Sequence, residues 1–125
     1  ISGNSAGYGG AVAAVGDGVG YAESVGFWHS TISGNISSGA GGAVYLFWVS
    51  SSMYCSTVSG NHASGDGGGF AIVGGGGWLN LSLSTVSGNS AAGNGGGLWV
   101  DGSSLACFDA TIAFNTEGYI SNRDR

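Results

Sequence analysis

The chain has 125 residues, 42% of them apolar and only 7% charged, with a formal net charge of −5 at pH 7. So apolar a composition buries a core and excludes disorder, and the length is that of one domain. The only basic residues are Arg123 and Arg125, too few for a phosphate-binding surface, which excludes nucleic acid as a partner.

The longest apolar run, Ala43 to Val49, falls far short of the roughly 20 residues that span a bilayer. No membrane span is expected in this segment. The chain begins inside a repeat, at Ile1, and is read as a single domain over 1–125 excerpted from a longer repeat protein or filament. It ends in a polar stretch, 116–125, read as a cap or tail.

One phrase recurs along the chain: Ile1-Ser-Gly-Asn4, Ile32-Ser-Gly-Asn35, Val58-Ser-Gly-Asn61, Val86-Ser-Gly-Asn89 and a decayed Ile112-Ala-Phe-Asn115. Its asparagines lie 31, 26, 28 and 26 residues apart, a period typical of solenoids and repeat arrays. A second block follows each asparagine: Gly9-Gly10-Ala11-Val12, Gly41-Gly42-Ala43-Val44, Gly67-Gly68-Gly69-Phe70, Gly95-Gly96-Gly97-Leu98, and a shrunken Gly118-Tyr119-Ile120. Paired glycines permit a tight corner, and the apolar alternation after them reads as a short strand.

Residues two apart in a strand face the same way. Val12, Val44, Phe70 and Leu98 therefore form one inward column, with Ala14, Leu46, Ile72 and Val100 as the next. Ala13, Tyr45, Ala71 and Trp99 face outward, as do Val15, Phe47, Val73 and Asp101. A second strand places Val25, Ser51, Leu79 and Leu105 in one inward column and Phe27, Met53, Leu81 and Cys107 in another. The phrase is the third strand, its inward column Ile1, Ile32, Val58, Val86 and Ile112. Three short strands per turn with no helical period predict an all-β parallel solenoid of about four to five coils. Length differences, six extra residues within Val15 to Val25 and two within Gly74 to Gly77, are read as surface loops.

Asn4, Asn35, Asn61, Asn89 and Asn115 are expected to stack at a corner as a structural ladder, passing amide hydrogen bonds along the axis. Cys55 and Cys107 sit at different registers two coils apart. Strand spacing then separates them by about 9 to 10 Å, too far for a disulfide, so free thiols are expected.

With Thr31-Ile-Ser-Gly-Asn35 followed by Gly41-Gly42-Ala43-Val44, the sequence resembles the right-handed parallel β-helix repeats of bacterial surface proteins. Among these is the polymorphic outer-membrane-protein family, known for Gly-Gly-Ala-Ile and Phe-x-x-Asn motifs; here Ile or Val, as at Ile32 and Val58, takes the Phe position. The resemblance implies a right-handed helix and an extracellular or cell-surface adhesin or passenger segment, with no catalytic residue.

Similar β-helices host polysaccharide-cleaving enzymes, which cluster acids on the outer face of one strand column. Only Asp101 stands in an outward column, Asp109 lies on another strand, and paired carboxylates for glycoside hydrolysis would have to lie roughly 5 to 9.5 Å apart. No enzyme, cofactor or metal site is therefore expected. His29 and His62 stand at different registers, and Gly16-Asp17-Gly18 and Gly65-Asp66-Gly67 do not reproduce the calcium-binding nonapeptide, so both acids read as solvated turn residues. The triplets Asn35-Ile-Ser37 and Asn80-Leu-Ser82 match the glycosylation pattern, a frequent chance match, and Asn35 should be inaccessible.

Two surfaces remain. Thr31, Thr57, Thr85 and Thr111, with Ser33, Ser59 and Ser87, form a hydroxyl face that resembles the ice-binding faces of some β-solenoids. Trp28, Tyr54 and Phe108 share an outward register, and Tyr45, Phe47 and Trp99 lie outside the glycine-led strand; together they form a contact surface on a chain poor in charge. The reading is a non-enzymatic extracellular structural or adhesive segment that self-associates, end to end or laterally, joins further coils of its own chain, or presents a binding surface for glycans. A carbohydrate-binding or carbohydrate-cleaving β-helix and an ice-binding solenoid are the alternatives.

Overall fold

The structure, a computed structural model, describes residues 1–18, 23–75 and 77–117. The shrunken copy at 118–120, both arginines and most of the 116–125 stretch lie outside the described residues, as does part of each loop insertion.

The elements repeat coil by coil. In order they are β1 (Ser5–Ala6), β2 (Val12–Val15), β3 (Glu23–Trp28) and β4 (Thr31–Ser33), then β5 (Ile36–Ser37), β6 (Val44–Phe47), β7 (Val49–Tyr54) and β8 (Thr57–Ser59). There follow β9 (His62–Ala63), β10 (Phe70–Val73), β11 (Trp78–Ser82) and β12 (Thr85–Ser87), then β13 (Ser90–Ala91), β14 (Leu98–Val100), β15 (Ser104–Phe108), β16 (Thr111–Ala113) and β17 (Thr116–Glu117). Every strand pairs in parallel with its counterpart one coil away, which gives four sheets along one axis: β2-β6-β10-β14 led by the glycines, β3-β7-β11-β15 with the longest strands, β4-β8-β12-β16 carrying the threonines, and β1-β5-β9-β13-β17 at a corner. This is a parallel β-solenoid of about four turns. The corner sheet, two residues wide, is a fourth strand per coil beyond the three read from the alternation, because two residues are too few to show a period.

Register sets the core. Val12, Val44, Phe70 and Leu98 stand in line, as do Phe27, Met53, Leu81 and Cys107. Ile32, Leu46, Val58, Phe70, Ile72, Leu79, Leu81 and Val86 are fully buried, each contributing on the order of 1.5 to 3 kcal/mol. Ser51 sits in the inward column between Val25 and Leu79, fully buried, and its hydroxyl has no hydrogen-bond partner.

Four corners close each coil, and in the second, third and fourth coils left-handed backbone makes all four of them. Gly41 shows what the glycine pair does: its φ is +70°, and a side chain there would strike the Val44 carbonyl. A side chain on Gly42 would strike the Gly68 carbonyl one coil on. The first glycine makes the turn and the second lets the coils close to strand spacing. The corner before the threonine sheet uses no glycine: His29, Cys55, Leu83 and Asp109 occupy equivalent places at φ 48°, 48°, 48° and 49°.

Polar side chains hold these corners in register. Asn35 Nδ2 donates to Asn61 Oδ1 at 2.9 Å, and the Asn35 backbone N–H donates to the same oxygen at 2.9 Å. The pattern repeats from Asn4 to Asn35, Asn61 to Asn89 and Asn89 to Asn115 at 2.9 to 3.0 Å. The second amide hydrogen goes to main-chain carbonyls, for Asn61 those of Ile32 and Ser59. A row of serines does similar work at the glycine-free corner: Ser30 N–H donates to Ser56 Oγ at 3.0 Å and Ser56 N–H to Ser84 Oγ at 3.1 Å. Ala110 ends that row.

Asn61→Ala leaves the Asn35 backbone N–H and one of its side-chain amide hydrogens unpaired in a buried place and is expected to cost at least about 1 to 3 kcal/mol, whereas Asn4→Ala, at an exposed end, costs under about 1 kcal/mol; urea unfolding of the two variants measures the difference. Ser51→Ala removes a buried hydroxyl with no partner and should be neutral or stabilising by up to about 1 kcal/mol in the same assay.

Candidate contact surface

The inward columns are spent on the core, so chemistry is left to the outward columns and corners. On the long-strand sheet Trp28, Tyr54, Ser82 and Phe108 share one register. Trp28 is 60%, Tyr54 41% and Phe108 63% exposed. Ser82 interrupts the aromatic row, but Leu83, turned outward at the next residue, is exposed and fills the gap with apolar surface. A strip of Trp28, Tyr54, Leu83 and Phe108 thus runs along one edge of the rod, roughly 14 Å long at strand spacing. His29 stands beside it, its ring edge-on to Tyr54 at 6.0 Å.

Glycines seat several exposed rings. A side chain on Gly26 would overlap the Trp28 ring, so Trp28 folds back over its own strand. Trp48 lies against Gly18 on one side and Gly74 on the other. Trp48 itself holds φ +61° at the corner where Gly74 and Gly102 hold 102° and 68°. Trp48, Leu83 and Phe114 carry no alternation signal in the sequence, because they stand at corners between strands. Recurrence at a fixed distance from the phrase would have found Leu83, which stands where His29, Cys55 and Asp109 stand.

The second aromatic group is less open. Tyr45, Phe47 and Trp99 are half-buried on the outward face of the glycine-led sheet, and Ala71 between Tyr45 and Trp99 is fully buried although its register points outward. Tyr8 packs on Tyr45 with ring centroids 4.9 Å apart, and Phe47 meets Trp48 edge-on at 6.0 Å. Burial, and behind it the neighbouring Tyr8, raises the Tyr45 phenol above its ordinary 10.0.

The hydroxyl face is in register: Thr31, Thr57, Thr85 and Thr111 form one column, Ser33, Ser59, Ser87 and Ala113 the other. Thr31 and Thr111 are exposed, and Thr57, Thr85 and the three serines half-buried. The face lies one corner away from the aromatic strip and does not merge with it.

The remaining candidates do not converge. His62 Nδ1 lies 2.8 Å from Ser90 Oγ on the corner sheet, far in sequence and register from His29. Among the described residues no three of His, Cys, Asp and Glu form a group that could hold a metal ion. Asp66 is not the solvated turn acid expected: its Oδ1 accepts the Asn94 N–H at 2.7 Å and Asn94 Nδ2 at 3.3 Å, so it stitches one coil to the next. Glu117 accepts the Gly95 N–H at 2.8 Å in the same manner. Cys55 and Cys107 are free, Cys107 being exposed; the partial desolvation that remains raises the Cys107 thiol above its ordinary value.

The arrangement is that of a repeat solenoid that buries like residues in columns and presents its side faces. Two segments, residues 29–46 and 84–101, match the family model of the Chlamydia polymorphic membrane protein repeat. Each runs from the glycine-free corner through the asparagine phrase and the glycine pair into the following strand, one in the second coil and one in the fourth. Over those residues the chain is similar to polymorphic-membrane-protein repeats, and its parallel β-solenoid accords with that likeness. No curated protein and no solved structure matches the chain.

Phe114 replaces glycine at the corner after the phrase: Gly3, Gly34, Gly60 and Gly88 hold φ 63° to 68° there, and Phe114 holds 58° while 89% exposed. Left-handed backbone costs a residue with a Cβ about 1 to 2 kcal/mol, partly offset by the greater freedom glycine has when unfolded. Phe114→Gly is expected to raise stability by about 0.5 to 1 kcal/mol, read as a higher denaturation midpoint.

Proposed function

We propose that the chain is a non-enzymatic, surface-displayed rod whose exposed aromatic edge makes adhesive contact, with copies of itself as the favoured partner. The observation that carries this reading is the strip of Trp28, Tyr54, Leu83 and Phe108 on a solenoid similar in part to polymorphic-membrane-protein repeats. Exposed apolar surface of that continuity on a chain with 7% charged residues is stabilised by a partner that takes it out of water. Aromatic rings dominate the energetics of such contacts, and none of the four residues of the strip carries a charge that would repel a second copy there.

The test compares the native chain with a Trp28→Ser, Tyr54→Ser, Phe108→Ser triple variant. These side chains lie outside the core columns, so circular dichroism should be unchanged. Sedimentation and electron micrographs of the native chain are expected to show regular assemblies, and the variant to need at least a tenfold higher concentration for the same association. Dispersed native monomers at high concentration overturn self-contact. A glycan array that lights up with the native chain and not with the variant moves the same strip from protein contact to sugar stacking.

A further inference from the structure

Tyr8 and Tyr45 come from successive coils. Tyr8 stands in the turn before the first glycine-led strand, flanked by Gly7 and Gly9, and is 57% exposed. Tyr45 projects from the outward face of β6. Their ring centroids are 4.9 Å apart with planes inclined at 49°. The place is shaped for this: a Cβ on Gly39 would come 2.6 Å from the Gly7 carbonyl oxygen and 2.9 Å from Tyr8 Cε1, so glycine there lets the turn that carries Tyr8 close onto the second coil. Tyr54, the other described tyrosine, has His29 as its ring partner; Tyr21 and Tyr119 lie outside the described residues.

We infer that Tyr8 and Tyr45 form an oxidative cross-linking site, in which peroxide and a haem peroxidase join the two phenols as a dityrosine that ties the first coil to the second. Each phenol gives up one electron and one proton to yield a phenoxyl radical whose spin reaches the ring carbons ortho to oxygen. A carbon–carbon bond forms between one ortho carbon of each ring. The ortho hydrogens then move to the oxygens and restore both phenols. Hydrogen peroxide takes up the two electrons and two protons and leaves as two waters, so the protein loses two hydrogen atoms in all.

Proximity favours this pair over collisions between molecules, because two groups held in contact react at a very high effective concentration. Accessibility favours it too, since the exposed Tyr8 ring can meet the oxidant and its radical has Tyr45 as the adjacent phenol. Competing sinks can be controlled: Cys107 is exposed and Cys55 half-buried, and both thiols oxidise readily, whereas Met53 is buried in the core. The first coil gains most from a covalent tie. Val12, Ala14 and Val25 in it are only partly buried, where their counterparts Val44, Leu46 and Ser51 are fully buried, and a cross-link between coils removes freedom from the opened chain. The step extends the surface reading, which supplies contact with external oxidant, but its chemistry can be tested on the chain without regard to adhesion.

The full chain, its thiols first alkylated, is treated with a haem peroxidase and limiting peroxide, and the monomer is isolated and cut after glutamate. Glu23 lies between the two tyrosines in sequence. The expected result is that the peptide ending at Glu23 stays attached to the one that follows, at a mass lower by two hydrogens, with biphenol fluorescence and fragment ions that assign the bond to Tyr8 and Tyr45. Tyr8→Phe and Tyr45→Phe should each abolish the linked peptide, and Tyr54→Phe should leave its yield unchanged. Monomer that separates cleanly at Glu23, or a bond that maps to any other pair, overturns the inference. Because the native chain alone gives a decisive peptide map, a variant that folds poorly does not remove the test.

Discussion

Everything in this molecule depends on one coil lying directly on the next at the spacing of hydrogen-bonded parallel strands. The asparagine row shows how narrow that requirement is. Each Oδ1 receives both the side-chain and the backbone N–H of the asparagine one coil earlier, while the second amide hydrogen is taken by main-chain carbonyls. An aspartate has no side-chain N–H to pass on and a serine has only one hydrogen to give, so neither can supply both donations while accepting from the coil before. The row therefore has a direction, and a coil displaced by one residue would lose several buried hydrogen bonds together.

That constraint explains the composition. Close stacking leaves no room for Cβ atoms at the glycine pair, so Gly42 and its counterparts are needed for coil contact as much as for turning. Inward positions are filled with aliphatic columns, and corners with amides and hydroxyls bonded along the axis. Few sites are left for charge. Where acids do occur near corners, as at Asp66 and Glu117, they too are drawn into bonds between coils.

With core and corners committed to stacking, the side faces carry whatever the rod does. Exposed rings lie on glycines, Trp28 over Gly26 and Tyr8 against Gly39, so the surface is apolar and aromatic without being ragged. An edge of that kind suits contact with another flat surface. The paired phenols of Tyr8 and Tyr45 add a way to fasten the end coil once such a surface meets oxidant. Contact and fastening use different side chains, and each can be changed without disturbing the other.

A large part of this was legible in the sequence, and for a physical reason. In a solenoid, residues one period apart become neighbours, so repetition along the chain translates directly into contact in space. The inward columns of the interior coils, the asparagine row, the outward register of Trp28, Tyr54 and Phe108, and the place of the two loop insertions all follow from the period and from strand alternation, whereas Ile1, Leu105 and Cys107, inward by register in the end coils, are exposed. What needed the tertiary structure was whatever does not alternate. The two-residue corner strands were too short to read. Leu83 and Trp48 turn outward only because the backbone there is left-handed, and Ser30, Ser56 and Ser84 form a row only through their bonds between coils. Ala71 is covered although its register points out, and Tyr8 reaches Tyr45 across coils from a turn. Periodicity alone determined which residues stand above one another; the corners, whose dihedral angles have no sequence period, decided which of them meet solvent and which meet each other.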